Sequence, residues 1–322
     1  MQIEKKYKYV ITNYFTLNRM SGKTILVIGA NKGWAPTPWA TFIILRQLTL
    51  GIGLAIVQRL AVISSKDTII LGCRDKEKGL DAIQLLRAIC NTKAHLDVVC
   101  IDIESEASVQ AAAKEVREKH KRLDVLVNNA AIALLEKDAD IRDVYGKVFA
   151  SNVGGVISTC EAFLPLMRDT SADARIIQVS SARGSLTRIA EGKMPPARVV
   201  SYGASKAALN CATLELVRRE ENRNVLFQMV SPGHCRTDFN NNTGKKDPLD
   251  GALVVEKLLL EERDNGRPCG MWEIEEIIPS RSSCRGEDQR GNWCQMCGGV
   301  ELVGAECYLR DLVELEVLIL NV

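Results

Sequence analysis

The sequence has no apolar run long enough to cross a membrane as a helix, which takes ~18 to 20 residues. The nearest, Trp34 to Leu50, is broken by Pro36, Pro38 and Arg46. There is no secretory leader pattern, because MQIEKKYKYV has lysines but no apolar core behind them. Charge of one sign is also missing: 42 Lys+Arg face 40 Asp+Glu, for a net +2. That balance argues against nucleic acid or an anionic membrane as the main partner. Histidine is scarce, at three, and His234 reads as a local hydrogen-bonder rather than a catalyst. No internal repeat is present.

What is there suits an enzyme-sized core. The 322 residues are 46% hydrophobic, enough for one large domain or two small ones. Six of the eleven cysteines (Cys73, Cys90, Cys100, Cys160, Cys211, Cys235) are spread through apolar segments. They read as small buried hydrophobes of a reducing compartment, the cytoplasm. The other five crowd toward the C-terminus (Cys269, Cys284, Cys294, Cys297, Cys307).

Apolar strand patterns alternate with helical ones from about Met20 onward. Strands are expected at Thr24–Ile28, Thr68–Leu71, Leu96–Ile101, Leu123–Val127, Arg175–Val179 and Val225–Val230. Helices are expected at Leu54–Leu60, Lys76–Ile89, Ser105–His120, Val144–Met167, Ser201–Glu220 and Leu249–Glu262. Gly270–Glu273 is a further strand candidate. This order predicts an α/β fold, a doubly wound parallel sheet covered on both faces. The expected organisation is an extension over 1–19, a single domain over 20–275 and a Cys-containing tail over 276–322.

In such a fold ligands bind beyond the carboxyl ends of the strands, and the chemistry-bearing residues fall there. Gly29-Ala30-Asn31-Lys32-Gly33 follows the first strand. Its glycines let backbone approach a phosphate, and the next helix offers N–H groups. Cys73-Arg74-Asp75, Asp102 and Asn128-Asn129-Ala130 follow the next three strands. Ser180-Ser181-Ala182-Arg183-Gly184 follows the fifth, and Ser231-Pro232-Gly233-His234-Cys235-Arg236-Thr237 the sixth. Tyr202 and Lys206, four apart, share one helix face. An ammonium beside a phenol favours the phenolate, so the Tyr202 pKa is expected to fall.

Together these motifs resemble the short-chain dehydrogenase/reductase superfamily, nearest its carbonyl-reductase-like members, over about Met20 to Trp272. The resemblance implies a Rossmann fold with Tyr202 as catalytic acid/base and Lys206 as its partner at the nicotinamide ribose. It implies that Ser181 orients the substrate oxygen and that Asn152 holds a water of a proton relay. It makes Gly29, Asn31, Lys32, Gly33, Gly51, Ile52 and Gly53 the phosphate loop. Asp102 would lie at the adenine, Asn128, Asn129 and Ala130 beside the ribose, and Pro232, Gly233 and Thr237 at the nicotinamide. Asn128 and Asn129 have a plainer reading as sheet stabilisers, and Ser180 as structural. The implied partners are a small carbonyl or alcohol substrate and a second or further copy, as homodimer or homotetramer.

Cofactor preference follows from charge. An acid at the end of the second strand suits a free ribose 2′-hydroxyl and repels a 2′-phosphate. Here Cys73 stands there with Arg74 next and Lys32 in the loop, which favours NADP(H) over NAD(H). Asp75 is expected to cap the following helix.

The chain departs from the family pattern in four places. Removing residues 34–51 restores an uninterrupted G-A-N-K-G-I-G-L-A-I loop, so 18 residues split the phosphate cradle. Their length suits a translated short intron. The tail holds Cys294-Gln-Met-Cys297, half a zinc pattern, with Cys284 and Cys307 as further thiols. No histidine is nearby, and an unrelated tail without metal is the preferred reading. Residues 185–200, with Pro195-Pro196, are expected to form an active-site rim loop. Ala131 replaces the glycine of N-N-A-G. Phe239 to Asp250 reads as a polar lid. The leading function is hydride transfer between NADPH and a carbonyl or alcohol at a Ser-Tyr-Lys-Asn site. The alternative is a catalytically impaired Rossmann-fold module that binds or regulates.

Overall fold

Thr24–Ile28 (β1) is buried at every position. A parallel strand covered on both faces needs no polar alternation, which is why TILVI is apolar almost throughout. The fold around it comes from a computed structural model that describes residues 22–31, 51–135, 140–195, 197, 199–260 and 269–273. The expected 1–19 extension, Lys32, Gly33, most of the 34–51 insertion and the 276–322 tail lie outside the described residues.

After β1 the chain runs through Ile52–Ala61 (α1), Thr68–Cys73 (β2), Lys76–Ile89 (α2), His95–Cys100 (β3), Glu106–His120 (α3) and Val125–Asn128 (β4). Then come Ile141–Phe149 (α4), a π-turn at Ala150–Gly155, Val156–Thr170 (α5) and Ala174–Val179 (β5). The last part holds Leu186–Ala190 (α6), Val200–Val217 (α7), Val225–Ser231 (β6), Pro248–Leu260 (α8) and Cys269–Glu273 (β7). The seven strands form one parallel sheet in the order β3-β2-β1-β4-β5-β6-β7. Strand order reverses between β1 and β4, and the crevice at their carboxyl ends is where such sheets bind ligands.

Two apolar clusters cover the two faces. One joins Val27, Leu71, Val127 and Ile177 of the sheet to Leu54 and Val57 of α1, Ile83 of α2 and Val255 of α8. The other joins Leu26, Val99, Leu126 and Ile176 to Val109 of α3, Phe163 of α5 and Leu209 of α7. Charged groups gather instead at the amino ends of the strands. Asp124 accepts from the Thr24 N–H at 2.8 Å and from the Arg122 guanidinium, and Asp173 accepts from Lys23 and Arg175. The amino edge is thereby closed by its own polar bonds, while the carboxyl edge keeps its loops for a ligand.

Four expectations need correction. The Val144–Met167 helix is not continuous, because the π-turn at Ala150–Gly155 interrupts it. Gly155 causes the close approach there: a side chain on it would strike the Ile103 carbonyl. The fourth strand is Val125–Asn128 rather than Leu123–Val127. Cys100 and Cys211 are exposed rather than buried, since one ends an edge strand and the other faces outward on α7. The 185–200 stretch is not all loop, because Ser185 caps α6 by accepting from the Arg188 N–H.

Candidate active site

Gly29 leaves β1 with φ +75°, and a Cβ there would lie 3.0 Å from the Ala130 Cα. That left-handed turn and that closeness both require glycine. Gly53, in the first turn of α1, would put a Cβ 2.5 Å from the Gly29 carbonyl oxygen. So α1 begins directly against the end of β1, although 18 extra residues separate Gly33 from Ile52 in the chain. Gly51 is the N-cap, no side chain caps the helix, and no acid stands in its first turn. Ile52 reaches toward Gly251 of α8, beside the Pro232 carbonyl. A bare helix start over a glycine cradle fits a diphosphate. Asn31, half-buried, is the last described residue before the interruption.

Around this cradle the predicted residues divide. Asn129 donates to the carbonyls of Ile28 and Gly29, each at 3.2 Å, and so braces the turn. Asn128 is buried and donates to the Cys160 Sγ at 3.3 Å, tying β4 to α5. Asp102 accepts from the Glu104 N–H at 3.1 Å and stays half-buried at the end of β3. Arg74 is exposed at the end of β2. Asp75 caps α2 through the Lys78 N–H, which holds its carboxyl below the usual range.

The second half of the crevice is built on α7. Ser181 sits at the exit of β5, where its hydroxyl accepts from the Arg183 N–H at 3.2 Å and is close enough to the Tyr202 phenol to pull its pKa down. Lys206 is 2% exposed, with its Nζ 5.7 Å from the Tyr202 ring centre. That ammonium donates to the Val179 carbonyl at 2.7 Å. Asn152, fully buried on the π-turn, accepts from the Ile132 N–H and donates to the Ile132 carbonyl, both at 2.8 Å. It also donates to Ser205 Oγ at 3.0 Å, and Ser205 donates to the Tyr202 carbonyl. The Asn152 amide therefore fastens the loop after β4 to the helix that carries Tyr202. Ser180 donates to Asn210 at 2.6 Å, a structural bond as expected.

The expected fall in the Tyr202 pKa is overturned. Burial pushes the phenol up to about 12, while the Ser181 hydroxyl and the Arg183 charge pull the other way. Lys206 is buried beside the phenol, donates to the Val179 carbonyl, and has its own pKa brought down to about 8 by that burial. Thr237 is 5% exposed and caps the short turn Asp238–Asn240, with Gly233 at φ +81° upstream.

The sequence reading named Arg183 after the fifth strand and Phe239 in the polar lid, but paired neither with Tyr202. Phe239 lies with its ring centre 5.5 Å from that of Tyr202 and is 45% exposed. Arg183 is close enough for its charge to reach the phenol. The only signal for Phe239 was a lone aromatic in the polar stretch FNNNTGKKDPLD.

A short chain dehydrogenase family model matches residues 48–248. The chain belongs to the short-chain dehydrogenase family. The match begins inside the interrupted loop, so β1 and Gly29 lie before it. A short-chain dehydrogenase of Penicillium roqueforti is 32% identical over 217 residues, covering 66% of this chain and 85% of its own. A short-chain dehydrogenase/reductase of Aspergillus fumigatus is 30% identical over 270 residues, covering 80% and 95%. Among solved structures, the NADPH-bound carbonyl reductase from chicken fatty liver aligns with a TM-score of 0.62 at 24% identity, over 79% of this chain and 96% of that one. That last likeness is one of fold. Membership of the short-chain dehydrogenase family makes the protein an oxidoreductase of the nicotinamide-dependent kind. Among the described residues no helix is long and apolar enough to cross a membrane.

Proposed function

We propose that the protein reduces a carbonyl compound with NADPH, Tyr202 acting as the proton donor. The observation that carries this reading is the meeting of Ser181, Tyr202 and Lys206 at the carboxyl edge of the sheet. NADPH, when bound, supplies the hydride. Gly29, Asn31, Lys32, Gly33, Gly51, Ile52 and Gly53 would hold its diphosphate. Arg74 would meet the 2′-phosphate, since Asp75 is engaged as a helix cap and opposes it less. Asp102, Asn129 and Ala130 would border the adenosine, and Pro232, Gly233 and Thr237 the nicotinamide side.

Ser181 holds the substrate oxygen within reach of Tyr202. The phenol gives its proton to that oxygen as negative charge develops there. With its pKa pushed up to about 12, Tyr202 keeps its proton across the physiological range, which suits the direction of reduction. Lys206, lowered to about 8 yet still charged at neutral pH, stabilises the phenolate left behind. Asn152 is a positioning residue that keeps α7 in register with the loop after β4. The exposed Phe239 ring would face an apolar part of the substrate at the mouth. Function in a homo-oligomer is part of the same reading.

Tyr202→Phe tests the assignment. Turnover is expected to fall by about 10²-fold or more while NADPH affinity stays the same. Retained turnover removes Tyr202 from its role. The second reading, an impaired binding module, is favoured by the split glycine loop. A fluorescence titration with NADPH separates the two, because a protein that leaves NADPH emission unchanged at millimolar ligand is the module.

A further inference from the structure

Two thiols stand side by side where β2 and β3 end. Cys73 and Cys100 are register partners across the parallel ladder. Neighbouring strands lie about 4.8 Å apart, inside the ~4.4–6.8 Å between Cα atoms that a disulfide spans. Both side chains belong to the same sheet face. Leu71 and Cys73 of β2 and Leu96 and Val98 of β3 all join one cluster, and Cys100 continues that alternation. Among the described residues no other two cysteines share a rung of the ladder.

The thiols also hold one turn. Cys73 Sγ donates to the Asp75 carbonyl at 3.1 Å, and Cys100 Sγ donates to the Arg74 carbonyl at 3.4 Å. Cys73 is buried, and Gly79 leaves room for its sulfur against α2. Cys100 is exposed on the edge strand. One thiol is open to a reagent and the other waits behind it.

We propose that Cys73 and Cys100 form a thiol–disulfide site whose closure reshapes the Cys73-Arg74-Asp75 turn. The co-reactant is a small disulfide such as oxidised glutathione. The Cys100 thiolate attacks one of its sulfurs, the S–S bond breaks, and one glutathione leaves as thiolate. The Cys73 thiolate then attacks the Cys100 sulfur and releases the second glutathione. The two cysteines lose two electrons, glutathione disulfide gains them, and the two thiol protons end on the two glutathiones. Burial pushes Cys73 up to about 11, so Cys100 attacks first and ring closure is the slow step. Closure removes both S–H donors from the carbonyls of Arg74 and Asp75. Its effect on the cofactor rests on the proposed role of Arg74 at the 2′-phosphate.

The test treats the full chain with oxidised glutathione, alkylates it under denaturing conditions and maps its peptides. A Cys73–Cys100 cross-linked pair is expected, reversed by dithiothreitol and absent from Cys100→Ser. NADPH affinity is expected to drop about tenfold on oxidation, the loss of one charged hydrogen bond. Cys100→Ser keeps the reduced affinity and loses this response. Cys100 recovered as a free thiol or a glutathione adduct alone, while the exposed Cys211 has reacted, overturns the site. A cross-link with unchanged NADPH affinity overturns its hold on the turn. Should the reduced wild type bind no NADPH, the cofactor reading fails, and the cross-link by itself decides the thiol site.

Discussion

Lys206 is among the largest side chains buried to under 2% or so of their surface, yet it is a cation. Its one hydrogen-bond acceptor among the described residues is the Val179 carbonyl, so its charge is poorly solvated and its pKa sits near 8 rather than 10.5. The unfolded chain therefore binds more protons than the folded one between about pH 8 and 10.5. Stability attributable to this group is full above the unfolded value and is lost as pH falls through the folded one. Tyr202, raised from 10 to about 12, acts only at higher pH: its contribution is full below 10 and lost above about 12. Denaturant unfolding between pH 8 and 10 should thus show a rise on the order of 2 kcal/mol from Lys206. Lys206→Met should abolish that rise and be the more stable protein at pH 7, with turnover lost. An identical pH slope in the two proteins would rule out a strained lysine. The pairing of Tyr202 with Lys206 was legible, because i, i+4 spacing brings side chains together on any helix. The direction of the lysine proton was not, because its acceptor is backbone 27 positions away.

Elements meet here through glycines whose missing side chains set the distance. Gly53 is the clearest, since a Cβ would sit 2.5 Å from the Gly29 oxygen and 2.6 Å from the Asn129 amide nitrogen. Gly53→Ala must push α1 away from β1 or displace Asn129. A loss of about 1–3 kcal/mol in unfolding free energy is expected, with weaker NADPH binding. Wild-type stability and affinity in that variant would show that the contact relaxes freely. The caps and strands of the sheet were legible, as at Asp75, because capping is written in neighbouring residues. The π-turn at Ala150–Gly155 was not, and Gly155 within it packs against the Ile103 backbone of a different segment. It matters to the site, since it carries Asn152.

At the scale of the whole molecule, the interruption at 34–51 splits the phosphate loop between β1 and α1. Its flanks, Gly29 and Gly53, already pack against each other. Long insertions cost little closure entropy, so the sheet forms with or without it. Deleting residues 34–51 should leave the unfolding midpoint nearly unchanged and raise NADPH affinity by about tenfold or more, because it restores an unbroken G-A-N-K-G-I-G phosphate loop. Unchanged affinity would mean that the segment stays clear of the cradle. Sequencing the transcript addresses its origin, and a message that predominantly encodes it would refute the intron reading. By itself the sequence determined the parallel α/β class, the order of the strands along the chain and the loops that carry the polar groups. Those follow from local periodicity, turn chemistry and capping. Only the tertiary structure decided which groups meet: Phe239 against Tyr202, Lys206 on Val179, Cys73 beside Cys100. These contacts join positions far apart in the chain, and the solvent they exclude, which sets the pKa of Tyr202 and Lys206, is a property of the packed molecule.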